Sequence, residues 1–559
     1  MGSDITPERR MVVALLLSFV IYLGWGYYTL EKKKRLGPPP AAAVEQGLPK
    51  AAAGAALPAP VLLPQGAILA EQPEQVFELD TPEMHLKLTN RGGTLVAAQL
   101  KAPQYQRRIN GKDEPVDLAR ATVEGRRPIE TTFGGALAAL PANAPYVATL
   151  DPNGRGVRFV RHEGAGTIEK HFTLVSPYLI ALDVLVTGLS PDHLTLAYPS
   201  EQPPGSGTAA GIFGFGRTVP NVATGVCLVG GSVERGKGGR PGDIKVENLT
   251  LPKDGTIGDV GFAGLDERFF VGAIYPASTD RRGHCTVSSL ATGSVEAALD
   301  LPLEAGKNRR FGIYLGPKDF DRLKAASVLP GELAPPAGLE KSVDFGFWTL
   351  LCVPMLFAME IFHGFTKNWG LAIILLTLLI KLVLLPLQHR YFKAMQQMKE
   401  LQPKIEALKK QHVGDKERLN LETMKLYSDN GANPFGSCLP MLVQLPIWFA
   451  LYRLLGTTIQ LYREPFITGW INDLTAPDPF YILPLGMGAT MVVTQLLTPQ
   501  TMENSQQKML MWFMPAFFTL TFLKVPAGLS LYIFASNLLN IAQQSLLARR
   551  FRTTAVPAV

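Results

Sequence analysis

The sequence predicts a polytopic α-helical membrane protein that carries an exported all-β domain. Two patterns lead there. Apolar runs long enough to cross a hydrocarbon core of about 30 Å occur near the start of the chain and through its last third, and between them apolar and polar residues alternate at period two. Composition agrees, since 47% hydrophobic and 18% charged residues over 559 positions is too apolar for an ordinary soluble protein and too long for one domain.

Six runs qualify as spans: 11–30, 369–387, 438–456, 479–497, 509–523 and 525–547. The first is followed by Glu31, Lys32, Lys33, Lys34 and Arg35 rather than by a small-residue cleavage site, so residues 1–30 read as an uncleaved anchor, not a signal peptide. Orientation comes from basic residues in short loops. Nine Lys or Arg lie in 388–427 and only Arg463 in 457–478, which places the first segment in the cytoplasm and the second outside. Arg549, Arg550 and Arg552, in the short basic tail 548–559, lie an even number of spans further on and are cytoplasmic by the same parity. The first span then enters from the cytoplasm. Lys32 to Arg35 outnumber Arg9 and Arg10 and point the other way, but two loops and the tail outweigh them.

Residues 36–75 are dense in Pro, Ala and Gly, with Pro38, Pro39 and Pro40 in a row; such a stretch cannot bury a core and reads as an extended tether. From 76 to 329 the alternation is clear in Met84-His85-Leu86-Lys87-Leu88-Thr89 and looser in 182–187, and short apolar runs at 194–198, 269–275 and 311–315 are bounded by turn residues. Many short strands imply a β-sandwich of roughly 250 residues. Helical periodicity appears only at 319–328. The apolar stretch 345–368 is interrupted by Pro354 and Glu360 and reads as an amphipathic helix on the outer membrane surface.

In the basic segment 388–428, Tyr391, Met395, Met398, Leu401, Ile405 and Leu408 recur at spacings of three and four, and Gly414 ends the pattern before a second helix. A cytoplasmic helical hairpin follows. Its methionine-bearing stripe is either an adaptable client-contact face, through Met395, Met398, Leu401 and Ile405, or the seam that packs the two helices on each other. Cys227 and Cys285 share the exported region and are either a disulfide or two unpaired buried thiols. The basic segment accounts for the pI near 9.0 and suits anionic headgroups or ribosomal RNA; no module that reads DNA bases is present.

Catalysis finds no constellation. There is no GxxxxGK[ST], GxSxG or HExxH, the glycine cluster 211–216 has no helix after it, and the eight histidines stand singly, so no nucleotide, metal or other cofactor is expected. What remains is polar residues inside the spans, most of which suit hydrogen bonds between helices. Lys381 differs in kind. It lies thirteen positions into the run 369–387 and seven before Gln388, roughly 10 Å along a helix, with no acidic residue in the later runs to pair with it. A partly snorkelling side chain is one reading, and a hydrated cation facing a cavity in the bundle is the stronger one. Such a cation, among amides and hydroxyls, would lower the cost of drawing polar or acidic peptide below the headgroups, and the apolar part of a client could then partition into lipid.

The motif set resembles the YidC branch of the YidC/Oxa membrane protein insertases. It comprises Trp369-Gly370, Lys381, Pro386, Leu401-Gln402-Pro403-Lys404-Ile405, Asn433-Pro434, Gln444-Leu445-Pro446-Ile447, Asp478-Pro479-Phe480-Tyr481, Gln506-Gln507-Lys508 and Gly528-Leu529-Ser530-Leu531-Tyr532, in consistent order over about 345–550. The exported region is similar to the family's periplasmic domain more loosely, through Asn90-Arg91-Gly92-Gly93 and Glu267-Arg268-Phe269-Phe270. The resemblance implies a Gram-negative-type inner-membrane insertase and chaperone. It implies a five-helix core over 369–547 enclosing a groove, a cytoplasmic hairpin receiving newly made membrane proteins, a periplasmic β-supersandwich, and work alone or beside the Sec translocon. Lys381 matches the family's groove arginine, with Thr377, Gln444 and Tyr532 among the groove-lining positions; lysine keeps the charge but not the bidentate fork. Ile533 stands where some relatives have a second groove aromatic and is not carried over. Two other classes compete. A small-solute transporter or channel would show inverted repeats or broken helices, and a carbohydrate-binding or carbohydrate-cleaving exported domain would show a paired-carboxylate cleft.

Overall fold

Pleating sends successive side chains to opposite faces, so period-two alternation becomes a one-sided strand. In Met84–Thr89, Met84, Leu86 and Leu88 are buried while His85 and Lys87 stay half-exposed. Leu182, Val184 and Val186 are buried in the same way along Leu179–Thr187. The computed structural model describes residues 73–553 except 110–111, 123–124, 202–222, 237–248, 254–255, 291–293, 335, 413, 432–438 and 498–504. The first apolar run, nearly all of the tether, the glycine cluster 211–216 and Asn433-Pro434 lie outside the described residues, as do the side chains of Met395, Met398, Gln506, Gln507 and Lys508.

The exported domain is an all-β sandwich. Its main antiparallel path runs Glu130–Phe133, His193–Ser200, Val295–Pro302, Arg282–Ser289, Gly258–Asp266, Phe270–Pro276, Arg309–Pro317, Leu179–Thr187, Gly166–Ser176, Gly156–Glu163, Val147–Leu150. Gly258–Asp266 joins the two halves, since its start pairs with Arg282 and Gly283 and its end with the strand Phe270–Pro276. The inner faces, and a three-stranded sheet starting at Val76–Asp80, close over one core that includes Phe159, Phe172, Phe262, Phe311 and Tyr314. Cys227 and Cys285 form a disulfide between strands Thr224–Val229 and Arg282–Ser289, Cα atoms 6.0 Å apart.

Helices follow. α1 (Phe320–Ala326) is capped by Asp319, whose carboxylate accepts from Arg322 N–H. α2 (Thr349–Thr366) buries Cys352, Leu356 and Met359 and exposes Leu350, Val353, Phe357, Ile361 and Phe365. α3 (Trp369–Glu400) passes through the expected span and on into the basic segment. The stripe from Tyr391 to Leu408 does not lie on one helix: Pro403 has no N–H to continue the ladder, and the chain restarts as α4 (Gln402–Gln411), followed by α5 (Lys416–Asp429). α6 (Leu439–Thr457), α7 (Ile482–Leu497), α8 (Ser505–Phe522) and α9 (Ala527–Thr553) coincide with the remaining apolar runs, and α9 extends into the basic tail. Among the described residues, Gly346–Thr366 and Trp369–His389 are long and apolar enough to cross a membrane by length and composition, while Ile482–Leu496 and Phe513–Phe522 are apolar but shorter.

The sandwich meets the helices at Glu267-Arg268-Phe269-Phe270. Buried Glu267 accepts from Arg107 at 2.6 Å and also from Arg120; burial alone would raise its pKa, but the two guanidinium charges hold it below the ordinary carboxylate value. Arg268 donates from Nε to the Gly456 carbonyl at 2.8 Å, near the end of α6, and burial pushes its pKa down to about 10. The rings of Phe269 and Phe270 lie 4.8 and 5.4 Å from Tyr462, whose hydroxyl donates to the Gln106 carbonyl at 2.6 Å. Beside it, Arg463 forks onto Asp113 with two 3.0 Å bonds. Ile459 belongs to the sandwich core, so the chain leaving α6 is built into the exported domain.

Two predictions follow from this packing. Arg268→Ala strips a buried donor from the Gly456 carbonyl and should lower the unfolding free energy of the full-length protein by about 1–3 kcal/mol, with Arg268→Lys closer to wild type; an unchanged thermal midpoint in detergent would remove the seam from the list of stabilising contacts. Lys170 is wholly buried, donates to the Gly92 carbonyl at 2.6 Å, and burial pushes its pKa down to about 7 from its ordinary 10.5. Between those two values the unfolded chain holds a proton that the folded chain lacks, so this residue's destabilisation is complete below about 7 and fades as pH rises towards 10.5. Lys170→Met should therefore stabilise most at low pH. Pulse proteolysis in urea should show that gain shrinking with rising pH, and a pH-independent difference would contradict a buried, titrating amine.

Candidate functional site

Polar residues at the outer ends fix the helices that carry the candidate groove. Asn368 caps α3, its Oδ1 accepting from Leu371 N–H at 3.0 Å, while its Nδ2 donates to the Phe466 carbonyl at 2.9 Å. Gly370 follows because the Phe466 ring lies where a side chain would be: a Cβ there would come within 2.0 Å of it. Asp478, buried before α7, accepts from Trp470 Nε1 at 2.8 Å, Phe480 N–H at 3.0 Å and Leu483 N–H at 2.7 Å. These contacts account for Gly370 of the Trp-Gly motif and for Asp478 of the Asp-Pro-Phe-Tyr motif as helix-end fixtures.

Lys381 is 7% exposed, and its Nζ donates to Asn540 Oδ1 on α9 at 2.8 Å. A neutral amide on α9 is thus one partner of the ammonium. Gln444 on α6 donates from Nε2 to the Tyr532 hydroxyl on α9 at 3.0 Å. Tyr532 and Asn540, with Ser536 between them at steps of four, share one face of α9 and lie about 12 Å apart along it. The candidate residues thus form two pairs that share α9. Thr377 is buried one turn before Lys381, but its hydroxyl donates to its own helix at the Ile373 carbonyl, 2.7 Å away. Thr490, Thr519 and Thr521 behave likewise towards Met487, Pro515 and Phe517.

In the hairpin, Leu401 and Ile405 take the packing alternative: both are buried, and with Tyr427 and Leu426 they form its small core. They do not face outward to meet a client, because the break before α4 turns them towards α5. The exposed apolar residues of the hairpin, among those described, include Leu421 and Met424. Asn540 belongs to the polar residues of the spans that suit hydrogen bonds between helices, and sequence alone does not single it out as the partner of Lys381. The spacing of Tyr532, Ser536 and Asn540, which repeats every four residues on a helix otherwise rich in Leu, Ile and Ala, signals only their common face.

Comparison with known proteins agrees in both halves of the chain. A family model described as the YidC periplasmic domain matches residues 77–358, and one described as the 60Kd inner membrane protein matches 361–554. A membrane protein insertase YidC of Anaeromyxobacter sp. (strain Fw109-5) is 39% identical over 510 residues, covering 88% of each chain. Another, from Anaeromyxobacter dehalogenans (strain 2CP-C), is 36% identical over 575 residues, covering 100% of this chain and 99% of its own. The crystal structure of YidC from Thermotoga maritima aligns at 14% identity with a TM-score of 0.30, covering 84% of this chain and 99% of that one.

The Gln444–Tyr532 bond joins α6 to α9 and is expected to contribute about 0.6–1 kcal/mol, as interhelical hydrogen bonds in membranes do. A double-mutant cycle of Gln444→Leu and Tyr532→Phe, read by thermal unfolding in detergent, should return a coupling of that size; additive effects would mean the pair contributes nothing jointly.

Proposed function

The chain belongs to the YidC family of membrane protein insertases, and from that premise we propose how it puts proteins into the inner membrane. Residues 11–30, α3, α6, α7, α8 and α9 are the six spans, and α2 lies along the outer surface with its exposed Leu350, Val353, Phe357, Ile361 and Phe365 in lipid. The sandwich is periplasmic, and the hairpin and the C-terminus are cytoplasmic. Lys381, Thr377, Gln444 and Tyr532 line a hydrophilic groove that receives newly made membrane proteins.

The observation that carries this reading is a lysine ammonium held within the helix bundle with one neutral hydrogen-bond partner. A charge at the centre of a span costs about 2.5–3.5 kcal/mol on insertion scales. A client's polar segment faces a comparable cost, and a site that already hosts a cation and its hydrogen bonds lowers it. The apolar segment then leaves into lipid at about 25 cal/mol per Å² buried, enough to drive insertion without nucleotide hydrolysis. Met395 and Met398 would offer clients adaptable contacts on the cytoplasmic side, the basic surface there would suit a ribosome, and the Sec translocon would share some of the clients.

The test is depletion with complementation, following insertion of a short phage-coat-like client. Lys381→Ala is expected to slow insertion of clients with polar or acidic translocated segments about tenfold, the equivalent of about 1.4 kcal/mol, while Lys381→Arg retains most activity. Normal insertion of every client by Lys381→Ala would end the groove-charge reading.

A further inference from the structure

We propose that Asn540 is the positioning residue that keeps the Lys381 cation inside the groove while leaving its charge unspent. The inference rests on the groove reading above and deepens it. A lysine stem lets an ammonium swing through several ångströms, and in a membrane the favourable direction is towards the nearest headgroups. Lys381 does not go there: its Nζ is fixed by Asn540 Oδ1 at 2.8 Å, and the residue is 7% exposed.

The chemistry of the partner matters as much as the distance. An aspartate at the same place would hold the amine more tightly, but it would cancel the charge on which the site depends. An amide oxygen accepts one hydrogen bond and neutralises nothing. Of the three ammonium donors, Asn540 occupies one, leaving two directions for water or for an arriving polar group. The same chemistry continues along the helices. Gln544 lies one turn beyond Asn540 on α9 and Gln388 two turns beyond Lys381 on α3, and both carry a buried amide oxygen without a hydrogen-bond partner among the described residues. Neutral acceptors thus mark both helices on the cytoplasmic side of the cation.

A purely structural role would make the Lys381–Asn540 bond one more tie between α3 and α9. The two roles separate in a cycle. Asn540→Leu and Asn540→Asp are each placed in wild-type and Lys381→Ala backgrounds of the full-length protein, and insertion is measured for two coat-like clients differing only by Asp or Asn in the translocated segment. Asn540→Leu should slow the acidic client about tenfold and the neutral one less; Asn540→Asp, which keeps an acceptor of the same shape and guards against simple misfolding, should also slow the acidic client selectively. Asn540→Leu should add nothing to the defect of Lys381→Ala, whereas Asn540→Asp, whose carboxylate then lacks the ammonium it cancels, should slow the acidic client further there. Equal losses from Asn540→Leu in both backgrounds, or equal losses for both clients, would make Asn540 a packing residue and overturn the inference. So would wild-type insertion by both variants beside a defective Lys381→Ala, which leaves the groove reading standing. Normal insertion by Lys381→Ala itself would overturn both.

Discussion

Hydrocarbon offers no hydrogen bonds, so polar groups carried into the helices are driven to find partners within the protein. The described helices show several solutions to that one constraint. Threonine hydroxyls turn back to a carbonyl about a turn earlier on their own helix, as Thr377 does to Ile373, which uses the donor but leaves the oxygen able to accept, as Thr490 does from Asn537 Nδ2 at 3.3 Å. The Cys352 thiol lies 3.3 Å from the Ala450 carbonyl on the neighbouring α6. Gln444 with Tyr532 and Lys381 with Asn540 also bond side chain to side chain across helices, and these pairs retain spare donors or acceptors.

The same constraint, relaxed at the membrane's outer edge, shapes the seam with the exported domain. Here charges are buried in a protein interior, and Glu267 and Arg268 each find at least one partner. Glu267 sits between Arg107 and Arg120, an arrangement whose desolvation cost is offset only because both partners reach it directly. Arg268, next in sequence, points the other way and finds a helix-end carbonyl, one of the groups every helix leaves without an internal partner. Gly456 is twelve residues from Gln444, about 18 Å along α6. The exported domain therefore grips the outer end of a helix whose inner half carries part of the proposed groove.

Much of this was legible in the sequence, for definite reasons. Strand alternation and apolar runs are local patterns, and they located the sandwich and α6 to α9 closely. Lys381 stood out because a charge in an apolar run is itself a local anomaly. What escaped depends on distant pairs. Glu267-Arg268-Phe269-Phe270 was visible as a motif, but its role needs Gly456 and Tyr462, nearly two hundred positions away. The disulfide left two alternatives open because spacing alone does not bring Cys227 beside Cys285. In the hairpin, apolar periodicity runs straight through Pro403 and predicts one helix, whereas the backbone breaks there.

Lysine in place of the arginine that the family resemblance implies becomes intelligible from its surroundings. A guanidinium presents five donors in a rigid plane, and burying it calls for several acceptors arranged to match. Among the described residues Lys381 has one hydrogen-bond partner, a neutral amide, and an ammonium with three donors suits a site of that kind: one bond for position, the others free for polar groups that arrive. A point charge also needs no particular angle of approach, whereas a fork rewards planar carboxylates above other groups. The proposed groove would gain from being undemanding about geometry, and its selectivity would then rest on the sign of the charge and on the apolar length that follows it into lipid.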